Sequence, residues 1–133
     1  MGIRAQFALL LSVLACVGCS KQKSTEELIA DLKSSNEKDR IIAVRLLPQR
    51  KGDVARTVPA LIEALKDHES DVRWSAAIGL GYFGDQARDA IPALQEAQHD
   101  RDARVREAAG VALSRIDPTR FTAPNKSQTS KGK

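Results

Sequence analysis

Apolar positions fall in short bursts at helical spacing, separated by polar corners, and the pattern is clearest in 58–84, VPALIEALKDHESDVRWSAAIGLGYFG. Its second half places Val72, Ala76, Gly79, Leu80 and Phe83 at spacings of 4, 3, 1 and 3, the stripe of a helix with one buried face. The corner before it, rich in Asp and Glu, supplies caps and first-turn acids. The same pattern returns on both sides. At a shift of 33 residues, Leu28, Leu61 and Leu94 share a column without a gap. So do Arg40, Arg73 and Arg106, then Ala43, Ala76 and Ala109, then Leu47, Leu80 and Leu113. A fixed period of this length means stacked supersecondary units, because one helix pair cannot bury its apolar face alone.

The period divides the chain into units 25–56, 57–89 and 90–117, each a pair of short helices. The expected helices are 26–33 and 37–47, 58–66 and 71–83, 90–98 and 104–116. Ser24 or Thr25 caps the first, with Glu26 and Glu27 favourably placed for its dipole. Pro48 ends the second early, Pro59 fits a first-turn position, and Asp71 is a cap for the fourth. In the third unit Ile91, Leu94, Val105, Ala108, Ala109, Ala112, Leu113 and Ile116 are expected to be buried. The fold class is therefore all-α, an α-solenoid of three helix pairs. The remaining 118–133 is polar, basic and without period, and is read as a disordered tail.

Charge at first points elsewhere. The whole chain carries a formal +4, which in a small basic protein brings nucleic acid or an anionic membrane to mind. Its distribution removes that reading: within 25–117 there are 14 Lys/Arg against 17 Asp/Glu, a net −3. No nucleic-acid partner is expected.

The start of the chain has a separate character. One Arg, Arg4, precedes the apolar run 7–17, FALLLSVLACV, and then Gly18, Cys19 and Ser20. A charged start, a short apolar run and a small-residue exit describe an export signal over 1–18; a spanning helix needs about 20 apolar residues. Cys16 and Cys19 spell C-x-x-C, but no ligand-spaced His or further Cys accompanies them, and the residue after Cys19 is Ser20. The stretch VLACVGCS resembles the lipobox of bacterial lipoproteins. That resemblance implies cleavage before Cys19, with Cys16 as the alternative, and acylation of its sulfur and new amine. Residues 19–24 are then a lipidated Cys and a polar tether. The resemblance places the protein in the bacterial cell envelope, at the inner leaflet of the outer membrane. Ordinary cleavage after Gly18, giving a secreted or periplasmic protein, is the competing reading.

The frame from Asp67 through Asp71-Val72-Arg73, Ala76, Gly79-Leu80 and Phe83-Gly84 to Ile91-Pro92-Ala93-Leu94 resembles short HEAT-like repeats of the phycobilisome-lyase type. The resemblance implies that the Arg after Val, here Arg73 and Arg106, pairs with an acid of an adjacent repeat in a structural role. It also implies that second helices line the binding surface. On the central one, Trp74, Ile78 and Tyr82 form a stripe separate from the buried set, flanked by Arg45, Arg115 and Glu107 from the neighbouring units. Aromatic anchors inside a polar rim are the usual make-up of a recognition site.

Catalytic chemistry finds no footing. His68 and His99 sit in acid-rich corners without metal spacing, and no nucleophile motif or phosphate-cradling glycine loop occurs. No enzyme activity, metal or cofactor is expected. The expected function is an adaptor or scaffold that binds an unidentified protein or peptide and is held to the membrane by its N-terminal lipid. An accessory role beside a lyase-type or other enzyme is the alternative.

Overall fold

The computed structural model describes residues 22–121; the expected signal, Cys16, Cys19 and most of the basic tail lie outside them. Among the described residues the structure is helical without strands: α1 (Thr25–Asp31), α2 (Glu37–Leu46), α3 (Val54–Ala64), α4 (Ser70–Phe83), α5 (Ile91–Ala97) and α6 (Ala103–Ile116). The helices pair as α1/α2, α3/α4 and α5/α6, and the second helices stack in the order α2, α4, α6. The all-α solenoid of three helix-pair repeats is the observed fold.

Local chemistry starts these helices where small polar side chains stand. Ser24 accepts from the Glu27 amide while Glu27 reaches back to the Ser24 amide, a complete capping box. Asn36 caps α2 and Asp102 caps α6. Two expectations fail at helix starts. Asp71 is not the cap of α4, because the helix begins one residue before it and Glu69 holds the cap position without a side-chain bond. Asp71 instead lies in the first turn and accepts from Arg104 Nη2 at 2.9 Å. Pro59 is inside α3, not in its first turn, because the 3-10 turn Lys51–Asp53 runs straight into helix at Val54. The first unit boundary therefore falls before Val54 rather than after Arg56. Pro59 and Ala55, whose carbonyl loses its helical donor, both lie on the exposed side, where water can serve that carbonyl.

The core is a column of one residue type per layer. Leu28, Leu61 and Leu94 from the first helices, and Leu47, Leu80 and Leu113 from the second layer, are all fully buried. Val44 and Val72 join them, as do the small Ala43, Ala76 and Ala109. The small residues set helix spacing. A Cβ on Gly79 would stand 2.7 Å from the Pro48 ring, and one on Gly81 would stand 3.2 Å from the Ala112 backbone. Gly81→Leu should therefore pry α4 from α6 and lower the melting temperature by several degrees or more. A melting temperature equal to that of the natural protein would show that the α4–α6 approach is looser than this.

The chain does not leave the fold at Asp117. Asp117 Oδ1 accepts from the Thr119 hydroxyl and the Arg120 amide, and the turn it makes brings Phe121 against the core. Residues 118–121 thus belong to the folded unit, and the expected disordered tail is corrected to that extent. A proline-led polar sequence hid an Asx-type turn whose last residue is apolar.

Candidate functional site

Two kinds of site residue come out of the repeat: those that hold the units together and those left facing outward from the second helices. The first kind is an arginine ladder. Arg73, buried in α4, donates from Nε and Nη2 to the two carboxylate oxygens of Asp100 in the next unit, at 2.8 and 2.9 Å. Its Nη1 donates to the carbonyls of Asp67 and His68, at 2.8 and 3.0 Å. Arg40 repeats the arrangement one unit earlier, reaching Asp67 from Nε at 2.8 Å and from Nη2 at 3.3 Å. Arg73 thus fills the expected structural role, and Arg40 does the same although only its column hinted at it. Arg106 differs. It keeps the two backbone contacts, to Asp100 and Arg101, but no further unit offers it a carboxylate among the described residues. The hydrogen bonds from Arg73 hold the Asp100 carboxyl below the usual carboxylate range.

The second kind lines two grooves. Between α2 and α4 a groove of about 700 Å³ is bordered by Arg45, Pro48, Gln49, Lys51, Trp74, Ser75, Ile78 and Tyr82. Between α4 and α6 a smaller one, about 420 Å³, is bordered by Trp74, Ile78, Tyr82, Arg104, Glu107, Val111 and Arg115. Trp74, Ile78 and Tyr82 are therefore a ridge shared by both grooves, and Arg45, Glu107 and Arg115 flank it. All six residues singled out in the sequence meet on one face. Trp74 and Ile78 are half-buried against the core, whereas Tyr82 is 72% exposed, an unusual exposure for a large aromatic ring.

Sequence reasoning missed Lys51, Ser75 and Arg104. Lys51 sits in an irregular turn outside the helical register, so no column pointed to it. Val111, which the repeat register places in the Ile78 column, is exposed beside the ridge. Ser75 is buried at the groove floor, and its hydroxyl has no hydrogen-bond partner among the described residues. His68 is exposed at the corner, with Nε2 3.0 Å from Arg40 Nη2. Among the described residues no three His, Cys, Asp or Glu side chains gather as a metal would need.

A stack of helix pairs, pinned by buried Arg–Asp rungs and presenting a ridge on its second helices, defines an α-solenoid repeat protein of the kind that binds other proteins. Residues 25–117 match the family of HEAT repeats, and the chain belongs to that family. No curated protein sequence matches it. Among solved structures it is similar to a chain in the complex of CpcE and CpcF of phycocyanin lyase from Nostoc sp. PCC7120, with a TM-score of 0.66 and 32% sequence identity. The match covers 75% of this chain and 40% of that one, so the protein spans less than half the length of the lyase chain.

Proposed function

We propose that this protein is a scaffold that holds a protein or peptide partner on the ridge of α4, with Trp74, Ile78 and Tyr82 as anchors and Arg45, Glu107 and Arg115 at the rim. The carrying observation is the exposure of Tyr82 beside two half-buried apolar side chains on a helix whose other face is fully committed to the core. Membership of the HEAT repeats supports protein binding as the general role. Truncating an anchor of this kind typically costs about 2 kcal/mol or more, roughly thirtyfold in affinity. Tyr82→Ala should weaken partner capture by that order without changing helical content, and Trp74→Ala should weaken it at least as much. A photo-crosslinker at position 82 should trap the partner where one at Glu63, on a first helix, does not. Equal trapping at both positions, or undiminished capture by both variants, would remove the ridge from the binding site.

The solved lyase complex favours a second reading, in which the scaffold assists an enzyme. It requires that the captured partner carry the catalytic activity, and a partner with none excludes it.

The binding unit is further proposed to be carried on a lipid. The support is the run FALLLSVLACV followed by Gly18, Cys19 and a polar tether, and several buried acyl chains hold a protein stably to a bilayer because each CH₂ contributes about 0.8 kcal/mol. An outer-membrane inner-leaflet site in a bacterial envelope follows from the lipobox resemblance. Metabolic labelling with a palmitate analogue should mark the natural protein and be lost in Cys19→Ser. Loss only in Cys16→Ser moves the site to Cys16, and no label in any version refutes lipidation.

A further inference from the structure

Charge is divided between the two layers of the solenoid in a way the net value conceals. The three first helices hold one Lys/Arg against five Asp/Glu; the three second helices hold seven against four. A block that is acidic as a whole therefore turns a basic face toward its grooves. Two of the seven, Arg40 and Arg73, are buried in the ladder, and Arg104 is held by Asp71 and Asp102. Around the apolar ridge, Arg45, Lys51 and Arg115 are left with no ion pair among the described residues. The one acid lining either groove is Glu107, beside Trp74 and Arg104.

The repeat register sets these charges on opposite sides of the ridge. Arg45 of α2 shares the Ile78 column, and Arg115 of α6 shares the Tyr82 column. Neighbouring helices lie about 8–10 Å apart, and the four-residue offset between the two columns adds about 6 Å along the helix, so the two cations stand roughly 20 Å apart with the apolar ridge between them. An extended peptide covers that distance in about six residues. Lys51 adds its charge on the Arg45 side.

We infer that the partner segment held on this ridge is an acidic peptide with an apolar centre, its Asp or Glu residues placed about six apart so that they reach Arg45 and Lys51 on one side and Arg115 on the other. This rests on the reading of the ridge as the binding site and adds the chemistry of the occupant. Apolar contact with Trp74 and Tyr82 supplies the affinity. The three cations supply selection by sign, since complementary rim charge decides between partners more than it adds binding strength. A few exposed ion pairs together amount to roughly a tenfold preference, one that fades as salt screens them.

The chain has a single Trp, so Trp74 fluorescence reports directly on the ridge. Three synthetic ten-residue peptides are compared on the natural protein. Each has the same Leu-Phe centre, and the flanks carry Glu, Lys or Ser six residues apart. The Glu-flanked peptide should shift Trp74 emission and bind roughly tenfold more tightly than the Lys-flanked one, with the Ser-flanked one between. In Arg45→Glu/Arg115→Glu, whose substituted side chains are exposed and whose folding is checked by circular dichroism, the order should reverse. Equal affinity for the three flanks, preference for Lys, no binding of any peptide, or an unchanged order in the double variant would each overturn the acidic partner. So would a response of Trp74 to phosphatidylglycerol vesicles in place of the peptides. If all three peptides bind equally and Tyr82→Ala releases them, the ridge remains the binding site and only its charge selection fails. The ridge itself fails separately, by crosslinking at position 82.

Discussion

Asp100→Ala should destabilise the protein by roughly 3–5 kcal/mol, enough to leave much of it unfolded at ordinary temperature. Arg73 is only 7% exposed and Asp100 12%. Removing the carboxylate strands a buried guanidinium that keeps only its two backbone acceptors. It also deprives the Asp102 amide of its acceptor at the start of α6. Replacing both partners, as in Arg73→Met/Asp100→Leu, should cost less than the single change, because the desolvated charge goes with its partner. Acid should act the same way. The folded-state pKa of Asp100 lies below its unfolded value, so the rung's contribution is complete above the unfolded value and is lost as pH falls through the folded one. Urea titrations at neutral and acid pH should show the natural protein losing stability with acid and Asp100→Ala losing less. An Asp100→Ala midpoint equal to that of the natural protein would mean that the rung holds nothing.

Leu80→Ala comes next in size, at roughly 2–5 kcal/mol. Leu80 is fully buried at the centre of the middle unit, with Leu47 and Leu113 in the same layer on either side. The glycines beside it already let the neighbouring elements approach closely at Pro48 and Ala112, which leaves little room for the site to collapse around a cavity. Loss of this leucine should therefore cost more than loss of Ile91, whose side chain is only half-buried at the start of α5. Thermal unfolding of Leu80→Ala and Ile91→Ala side by side tests the order, and equal losses would place Leu80 outside the core.

Helix pairs and their core columns were legible because the physics that produces them is local and repeated. A 3.6-residue stripe, a capping residue and an ungapped 33-residue period need no knowledge of what lies across the interface. The same register brought Trp74, Ile78, Tyr82, Arg45, Glu107 and Arg115 to one face, since identical units stacked in parallel keep identical columns aligned. Where the repeat is broken, the sequence was a poorer guide. The irregular turn after Pro48 moved the start of α3, put Pro59 inside a helix and brought Lys51 to the groove. Phe121 joined the core through a turn that no period announces.

The sequence by itself determined the number of units, their helical nature and the identity of the residues in each column, because these follow from backbone propensity and the spacing of apolar side chains. Only the tertiary structure decided which arginines are spent and which are free. Arg40, Arg73 and Arg106 share one column, yet only the first two are buried, each against an acid 27 residues on; the third has no such acid among the described residues. An ion pair between units depends on a distance across an interface and on the burial of the groups that meet there. Neither quantity is written in the spacing along one helix.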